Sequence, residues 1–357
     1  MAFAPDITER LARARADLRM GVPVVLEGGL VVLAVETLDQ ARFADLRAMG
    51  MPTLAITSWR AETLKARAYD GDLARVVLPQ DATLSWVQAI ADPADDLRNP
   101  MKGPLRTVRE GSADLHRAAI AMLKSARLLP AALVMPVANP LAFALEHNLT
   151  IVPETAATNT ALSPLRPIVN ARLPLEVSMA GRLHIFRPED GGEEHYAVEI
   201  GQPDRDKPVL SRLHSACFTG DILGSLKCDC GPQLRGALAQ MGEEGAGVLL
   251  YLNQEGRGIG LANKMRAYSL QDQGFDTVEA NHRLGFEDDE RDFRIGADIL
   301  RRLGFRDVRL MTNNPAKVDR MNSCGLTVVE RVPLKVGENR HNHHYLATKA
   351  AKSGHLL

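Results

Sequence analysis

The sequence has few cysteines for its length and almost no net charge. Its 357 residues include 4 cysteines, too few for a disulfide-stapled scaffold, so we expect a cytoplasmic protein in a reducing compartment. The net charge of −1 provides no broad basic field of the kind that binds nucleic acid or a membrane surface. Residues 1–21 lack an apolar run long enough for a signal peptide or a membrane span. The composition therefore predicts neither nucleic-acid nor membrane partners.

What is present is the composition of an ordinary globular protein. Hydrophobic residues make up 45% of the chain and charged residues 24%. A single hydrophobic core rarely grows beyond about 250–300 residues, so the length predicts two domains. Residues 154–174 are rich in Thr, Ala and Pro and show no periodicity. We place the linker there and expect domains at residues 1–160 and 167–357.

The N-terminal half shows short, alternating secondary-structure patterns. A helix is predicted near the start, with an apolar face formed by Ile7, Leu11, Ala14 and Leu18. The run VPVVLEGGLVVLAVE predicts two strands around a turn at Glu27-Gly28-Gly29. Further along, residues 113–128 predict a helix and residues 131–137 a buried strand.

The C-terminal half alternates strands and helices more clearly. One predicted helix ends at Gly245 and has an apolar face formed by Leu234, Ala237, Leu238 and Met241. The next predicted helix has a face formed by Leu261, Met265 and Tyr268. Strands are predicted at 247–252, 307–312 and 326–334, and a helix opens at Pro315. This order predicts an α/β or mixed α+β fold in two domains.

Three of the four cysteines lie in the stretch CFTGDILGSLKCDCG. Ten residues separate Cys217 from Cys228, and one separates Cys228 from Cys230. Three thiolates match catalytic zinc, which keeps a fourth position for water and lowers the pKa of that water to about 7. Two alternatives stay open on spacing alone. One is structural zinc with Cys324 or a histidine as fourth ligand, and the other is a set of core cysteines without metal.

Charged residues recur near this stretch, in patterns that are individually weak. Each is more often a solvated surface than a site, but together they supply acid–base groups and anion clamps in one domain. A strand-to-helix junction, TNNPAK, also offers backbone N–H groups to a phosphate. The charged candidates are Arg212, His214, Glu255, Arg257, Arg291 and Lys317, together with the carboxylates of EDDERDF.

Residues 168–357, about half of the chain, resemble GTP cyclohydrolase II of riboflavin synthesis. The matching words are TGD, GSLKCDCG, LLYLNQEGRGIGLANKMRAYSLQDQG, DTVEANHRLGF, DERDF, LMTNNPAK, VERVPL and HYLATKAAKSGHLL. The resemblance implies a GTP cyclohydrolase II-like fold for the C-terminal domain and a homodimer. It also implies opening of the guanine imidazole ring of GTP, with release of formate and pyrophosphate. The expected product is 2,5-diamino-6-ribosylamino-4(3H)-pyrimidinone 5′-phosphate, and the expected cofactors are one zinc per chain and magnesium with the triphosphate.

The same resemblance assigns roles to residues. It implies zinc ligands at Cys217, Cys228 and Cys230. It implies substrate-binding residues at Arg212, His214, Ser215, Gln233, Glu255, Gly256, Arg257, Thr277, Thr312 and Lys317. It implies a proton acceptor at Asp289, a nucleophile at Arg291 and a tyrosine near the opening ring at Tyr268. Since a guanidinium keeps its proton and is then a poor nucleophile, a phosphate clamp is the simpler role for Arg291.

The sequence departs from the family pattern at two positions beside the cysteines. Ala216 stands where the family usually has Glu, and Lys227 stands where it usually has Arg. The first loses a carboxylate, and the second keeps the charge without the bidentate geometry of a guanidinium. A histidine group near the C-terminus is interpreted as a surface loop, because three cysteines and a water already complete the zinc set. Its members are His341, His343 and His344.

The N-terminal half faintly resembles 3,4-dihydroxy-2-butanone 4-phosphate synthase, which is fused ahead of cyclohydrolase II in many bacteria. That family holds magnesium on an acidic loop, which here has shrunk to Glu27-Gly28-Gly29. Leu115 and Arg117 replace its His and Glu, and Met135-Pro136 replaces its Cys-Glu pair. Magnesium needs hard oxygen ligands, which these positions no longer offer. We therefore expect residues 1–160 to be a degenerate, inactive synthase-like domain.

Two other functions are compatible with the same motifs. One is a cyclohydrolase-like paralogue in another pathway, such as pyrimidine catabolism. The other is a non-catalytic regulator that binds zinc and GTP. The intact cysteines, together with Tyr268, Asp289 and Arg291, favour the enzyme, because a regulator need not keep a proton acceptor.

Overall fold

The computed structural model describes residues 3–339 and residue 342, so the histidine group at 341–344 lies outside the described residues. The helices are α1 (Ile7–Arg19), α2 (Gln40–Met49), α3 (Ser58–Thr63), α4 (Leu84–Ala91), α5 (Asp114–Ser125), α6 (Pro140–Glu146), α7 (Glu154–Ala157), α8 (Cys230–Glu244), α9 (Leu261–Asp272), α10 (Thr277–Leu284), α11 (Arg294–Arg302) and α12 (Pro315–Ser323). The strands are β1 (Val24–Leu26), β2 (Leu30–Ala34), β3 (Thr53–Thr57), β4 (Leu73–Val77), β5 (Ala131–Pro136), β6 (Thr150–Val152), β7 (Leu165–Arg172), β8 (Gly181–Pro188), β9 (His195–Ile200), β10 (Val209–Ser215), β11 (Gly247–Leu252), β12 (Asp307–Met311) and β13 (Thr327–Val332).

The chain forms two compact units, and the first is discontinuous in sequence. It combines the residues up to Ala161 with the segment Ala262–Glu290. The second combines Leu162–Leu261 with the residues from Arg291 onward. The division at Ala161 falls inside the stretch expected to be the linker. The sequence-derived domain at 167–357 lacks residues 162–166 of the second unit and includes the segment Ala262–Glu290, which we call the α9–α10 segment.

The first unit is built on a sheet of six strands in the order β4-β3-β5-β2-β1-β6. The strands pair antiparallel except β1 and β6, which are parallel. Every residue of β1 and β2 is buried because apolar side chains cover both faces of the sheet. The predicted hairpin around Glu27-Gly28-Gly29 is confirmed, and Gly29 takes a φ of +95° in the turn.

The second unit is built on a sheet of seven strands in the order β13-β12-β10-β11-β9-β8-β7. The strands β13, β12, β10 and β11 run parallel, so the carboxyl ends of β10, β11 and β12 lie at one edge. The remaining strands pair antiparallel. Ligand sites of α/β sheets lie outside the carboxyl ends of parallel strands. The predicted mixed α+β architecture is confirmed, and this edge is the place to look for a site.

Two parts of the chain differ from their sequence patterns. Residues 154–174, for which no element is predicted, contain α7 and β7. Strand β7 is exposed after its first residue and pairs with β8 alone, with a shift of register after Pro167, so it has no apolar periodicity to detect. The buried positions of α9 are Asn263, Lys264, Ala267 and Leu270, whereas the predicted face leaves Leu261 and Met265 each 38% exposed.

The other predicted elements are confirmed within a few residues of their expected bounds. Helices α1, α5, α8 and α12 and strands β5, β11, β12 and β13 form where the apolar patterns place them. Helix α8 ends at Gly245, which takes the left-handed conformation with a φ of +81°. In the part of the chain that the structure describes, no helix has both the length and the apolar character needed to cross a bilayer.

Candidate functional site

Three thiols converge beyond the carboxyl end of β10. Cys217 follows that strand, Cys228 precedes α8, and Cys230 is the first residue of α8. Their Sγ atoms all lie within 4.8 Å of one another, and those of Cys217 and Cys228 are 3.7 Å apart. Two thiolates on one tetrahedral zinc, each at about 2.3 Å, lie about 3.8 Å apart. The donor set therefore fits zinc, and Cys324, at the end of α12, is not part of this group.

The thiols meet because the chain between them has a glycine at the point of closest approach. Gly220 lies in a single π-helical turn, Phe218–Ile222. A Cβ atom at Gly220 would lie 2.8 Å from the Sγ of Cys228 and 3.1 Å from that of Cys217. A side chain here would fill the space beside the thiols. Gly231 and Pro232 lie in the first turn of α8, directly after Cys230.

The mutual proximity of the thiols affects their ionisation. Hydrogen bonding to Cys217 raises the pKa of the Cys228 thiol. The pKa of Cys230 is raised well above its usual value, first by Cys217 and then by Cys228. Three neighbouring thiolates repel one another, so their joint deprotonation requires a cation among them.

A buried carboxylate links the first thiol to two aromatic side chains. Asp221, whose side chain is 1% exposed, accepts a hydrogen bond from the backbone N–H of Cys217 at 3.0 Å. The Tyr251 hydroxyl donates to the same carboxylate at 3.0 Å, and Nε2 of His214 lies 3.0 Å from both of its oxygens. Burial raises the pKa of Tyr251 well above its ordinary value, so the hydroxyl keeps its proton.

The glycine-rich turn after β11 is anchored to the same stretch. Glu255 accepts a hydrogen bond from the backbone N–H of Phe218 at 2.6 Å and from that of Gly256 at 2.9 Å. Gly256 and Arg257 both take left-handed conformations, with φ of +64° and +61°. For arginine that conformation costs about 1–3 kcal/mol, which is typical of strain held at a functional turn.

The preceding residue, Gln254, has a buried polar atom with no partner. Its Nε2 donates to the backbone oxygen of Asp292 at 3.0 Å, while its Oε1 has no hydrogen-bond partner among the described residues. Such an orphaned acceptor costs about 1–3 kcal/mol unless a ligand supplies a donor. Among the described residues, the Nε of Arg212 is another buried polar atom without a partner.

Cationic side chains gather around one phenylalanine ring beside the same edge of the sheet. The Phe293 ring centroid lies 5.1 Å from the Cζ of Arg291, 5.4 Å from the Nζ of Lys317 and 5.2 Å from the Cζ of Arg320. The Lys317 ammonium also donates to the backbone oxygen of Leu213 at 2.8 Å. Three positive charges therefore lie close to one aromatic ring. Such a concentration of positive charge suits a polyanion.

A second, more buried cation, Arg212, is hydrogen-bonded to α8. Arg212 donates to the backbone oxygen of Met311 at 2.9 Å and to the side chain of Gln233. Burial lowers the pKa of Arg212 to about 10, so it remains a cation at neutral pH. Arg291 donates to the Ser215 hydroxyl at 3.4 Å. Arg212 with Gln233 and Arg291 with Ser215 therefore form two hydrogen-bonded pairs.

The junction TNNPAK offers fewer free backbone N–H groups to a phosphate than the sequence predicts. Thr312 and Asn313 are buried, and the Asn313 side chain is hydrogen-bonded to the backbone of Leu334. The Asn314 side chain caps α12 by accepting from the N–H of Ala316 at 3.0 Å. A phosphate at this position would have to compete with that cap.

The structure divides the predicted residues between the two units. The second unit contains Arg212, His214, Ser215, Cys217, Cys228, Cys230, Gln233, Glu255, Gly256, Arg257, Arg291, Thr312 and Lys317. The first unit contains Tyr268 on α9, Thr277 at the start of α10, and Asp289. The Thr277 hydroxyl accepts from Nε2 of Gln271 at 3.3 Å, and the Lys264 ammonium lies 5.7 Å from the Tyr268 ring centroid.

Three residues with evident connections to this site were not predicted from the sequence. They are Asp221, Gln254 and Arg320. Asp221 and Gln254 lie inside the matching words TGD and QEGRG, which was the available signal. Arg320 lies one turn beyond Lys317 on α12, and helical spacing places both side chains on the same face.

The two departures from the family pattern have different structural settings. The backbone N–H of Ala216 donates to the Leu252 oxygen at 2.8 Å, which continues the pairing of β10 with β11. A small side chain is compatible with that pairing. Lys227 is exposed, just before the second thiol.

Comparison with known proteins gives a consistent match. The family model described as GTP cyclohydrolase II matches residues 166–333. A GTP cyclohydrolase-2 from Azospirillum brasilense is 44% identical over 358 aligned residues, which cover 97% of this chain and 93% of that protein. A GTP cyclohydrolase-2 from Actinobacillus succinogenes is 55% identical over 196 residues, which cover 55% of this chain and 90% of that protein.

A solved structure was also found across most of the chain. It is a two-domain 3,4-dihydroxy-2-butanone 4-phosphate synthase from A. baumannii, 17% identical, with 92% of this chain and 99% of that chain covered. The TM-score of 0.32 is too low to support an argument about fold or function.

Proposed function

The chain belongs to the GTP cyclohydrolase II family of hydrolytic enzymes, and from this premise we propose that it hydrolyses GTP in the first step of riboflavin biosynthesis. The products would be 2,5-diamino-6-ribosylamino-4(3H)-pyrimidinone 5′-phosphate, formate and pyrophosphate. The observation that most supports the proposal is the convergence of Cys217, Cys228 and Cys230 beyond β10. That strand edge also presents cationic groups and an unpartnered amide oxygen, which suit a nucleoside triphosphate.

Cys217, Cys228 and Cys230 would hold the zinc ion. A zinc ion held there would act as a Lewis acid and lower the pKa of a water molecule, which makes a nucleophile available at neutral pH. With these three thiols as ligands, a fourth position would be open to water or substrate. We propose magnesium as the second metal, bound mainly by the triphosphate oxygens.

The triphosphate would bind to the cations around Phe293. Arg291 and Arg320 present planar guanidinium groups, which match phosphate oxygens bidentately, and Lys317 adds a point charge. A guanidinium that keeps its proton is a poor nucleophile. We therefore propose that Arg291 binds phosphate and does not attack it. Arg212 adds a buried positive charge behind this group.

Guanine recognition would use the turn after β11. The Oε1 of Gln254 is a buried acceptor without a partner among the described residues. The free-energy cost of leaving it unpaired is removed when a ligand N–H donates to it. Glu255, held between Phe218 and Gly256, has a fixed carboxylate for a second donor of the base. A site that leaves such groups unpaired with the wrong base discriminates strongly against that base.

Proton transfer would use residues that the family resemblance marks. We propose Asp289 as the proton acceptor, with Tyr268 near the opening ring and Thr277 as a further contact to GTP. The His214 ring is held in place by its hydrogen bonds to Asp221. Proton transfer by a positioned side chain contributes about 10²–10⁴-fold to rate. We also propose that the enzyme works in the cytoplasm as a homodimer.

The N-terminal half would contribute no synthase chemistry. The residues that replace the synthase family's site residues are engaged in packing or ion pairs. Leu115 fills the space beside Gly28, so its Cδ2 would lie 2.5 Å from a Cβ at that glycine. Arg117 forms ion pairs with Asp72 and Asp114, each at 2.9 Å. Met135 is buried in the core at 4% exposure. These contacts support the proposal that residues 1–160 are a degenerate synthase-like domain.

The experiment that tests the function is incubation of the full-length protein with GTP, zinc and magnesium. Mass spectrometry of the products, together with assays for formate and pyrophosphate, would identify the reaction. The proposed products in equal amounts support the proposal. Formate with a different pyrimidine product would indicate the paralogue, and GTP binding without turnover would indicate the regulator.

A further inference from the structure

We infer that the N-terminal half supplies positioning residues for the cyclohydrolase reaction, because it holds the α9–α10 segment that carries Tyr268, Thr277 and Asp289. This inference rests on the proposed function. By sequence, the segment lies inside the stretch 166–333 that matches the cyclohydrolase family. By structure, it packs with residues 3–161 in the first unit. A domain that has lost its own chemistry would thus keep a role as the support of another active site.

The first set of contacts holds α9. Asn263 is fully buried, and its side chain donates to the backbone oxygen of Arg127 at 3.0 Å. Arg266, on the next turn, forms ion pairs with Glu36 at 3.0 Å and Asp92 at 3.2 Å. The second carboxylate oxygen of Glu36 accepts from the N–H of Leu129 at 2.7 Å, so this carboxylate is itself fixed. These contacts orient the helix that carries Tyr268.

The second set holds α10 and the glycine that ends it. The Trp59 indole stacks on the His282 ring, with centroids 3.7 Å apart and planes 6° from parallel. The Thr57 hydroxyl donates to the backbone oxygen of Gly285 at 2.9 Å in a buried position. A Cβ at Gly285 would lie 2.8 Å from Oγ1 of Thr57 and 2.9 Å from Cγ of Pro130. The close approach shows that this end of α10 is packed tightly on the N-terminal half.

The third set lies on both sides of Asp289. Asp288 pairs with His282 at 2.9 Å, and His282 stacks on Trp59. Glu290 pairs with Lys124 of α5 at 2.6 Å. Both sequence neighbours of the proposed proton acceptor are therefore tied to the N-terminal half, one directly and one through a stacked histidine.

The geometry gives these contacts a catalytic consequence. A general base must lie within hydrogen-bond reach of the proton it accepts, at about 2.6–3.2 Å. A misplacement of about 1 Å from a distant change can cost about 10²-fold in rate. Loss of the Lys124–Glu290 pair or of the Trp59 stack removes one attachment of the stretch around Asp289 to the N-terminal half, so it should lower kcat without removing any group that contacts GTP.

The test uses variants of the full-length protein. Lys124→Met removes the charge and keeps the length of the side chain, and Trp59→Ala removes the stack. We expect each to lower kcat for formate release about tenfold or more, with zinc content and melting temperature close to those of the unsubstituted protein. Lys124→Arg should restore most of the activity. Hydrogen exchange of residues 278–290 should rise in the first two variants and not in Lys124→Arg.

A matched control is Asp72→Asn, which breaks an ion pair of the N-terminal half that does not involve the α9–α10 segment. It should leave kcat and the exchange of the segment unchanged. Faster exchange of residues 278–290 with unchanged kcat would overturn the inference while the proposed function stands. A protein without substitutions that releases no formate from GTP would instead overturn the proposed function, and the inference with it.

Discussion

At the scale of single residues, the site depends on groups that hold other groups in place. Asp221 is not one of the three thiols, yet it fixes the backbone of Cys217 and orients His214 and Tyr251. Two of these partners lie on β10 and β11 and the third is Cys217 just after β10, and they are up to 30 residues away in sequence. The sequence identifies the thiols by spacing, but it cannot show which carboxylate lies behind them.

The zinc set itself can be tested by single substitutions. We expect Cys324→Ser to keep one zinc per chain, because Cys324 is outside the group of three thiols. Cys228→Ser should lose the metal, since a neutral hydroxyl is a weak ligand for zinc. Metal analysis of the purified proteins measures both. Loss of zinc from Cys324→Ser would mean a four-thiolate structural site.

Asp221→Asn should weaken metal binding while every ligand stays in place. Partners outside the ligand set typically contribute about 10–100-fold to metal affinity, and Asn cannot accept all three hydrogen bonds. The dissociation constant can be measured by competition with a chelator. Replacement of zinc by cobalt should also give an altered absorption spectrum, which reports a change in ligand geometry.

The matched control for Asp221 is Asp298→Asn, which removes ion pairs to Arg301 and Arg302 along α11. It should leave the cobalt spectrum and the metal affinity unchanged. An Asp221→Asn protein with the affinity and spectrum of the parent would show that this carboxylate does not position Cys217.

At the scale of elements, apolar patterns predict most of the strands and helices but not their surroundings. Strands β5 and β11 are mostly buried runs and β12 alternates partly exposed with buried residues, so the sequence is sufficient to find them. Strand β7 is exposed and has one neighbour, so its pattern resembles a linker. The buried face of α9 includes Asn263 and Lys264. A sequence pattern predicts polar residues to be exposed, because burying them is costly without hydrogen-bond partners that the sequence does not reveal.

Two glycines in the α9–α10 segment allow the free-energy cost of backbone strain to be measured separately from the cost of disturbed packing. Gly274 has a φ of +101° and no heavy atom within 4 Å of an added Cβ, so Gly274→Ala should cost about 1 kcal/mol. Gly285 has a φ of +87° and contacts below 3 Å, so Gly285→Ala should cost a further 1–3 kcal/mol or so. Urea unfolding measures both free energies. Equal costs would show that α10 is not packed tightly against Thr57 and Pro130.

At the scale of the whole molecule, the two units do not correspond to two continuous stretches of sequence. The predicted boundary near residue 160 coincides with one division of the chain. The assignment of Ala262–Glu290 to the first unit depends on contacts such as Arg266 with Glu36, over 230 positions. No local sequence pattern reveals a contact between residues so far apart. The family motifs therefore assign this segment to the C-terminal domain, whereas its contacts place it in the first unit.

The N-terminal half should show no synthase activity in the full-length protein. Leu115, Arg117 and Met135 are occupied in packing and ion pairs, and Glu36 is held by Arg266 and Leu129. A metal and a base in one site are needed to enolise a sugar phosphate. With ribulose 5-phosphate and magnesium, we expect no dihydroxybutanone phosphate above a protein-free control. Turnover of GTP by the same sample would show that the protein is active.

The discontinuous first unit also determines how the chain responds to cutting. Residues 158–161 are exposed, and a protease can reach such a stretch easily. A break there divides the polypeptide, but the α9–α10 segment remains attached to the later fragment and packed against the earlier one. The two fragments should therefore co-elute from a sizing column after proteolysis and separate in denaturant. A gene split at this point would behave as a pair of complementing halves, held together by the stacked ring of Trp59 and the ion pairs of Arg266 and Lys124.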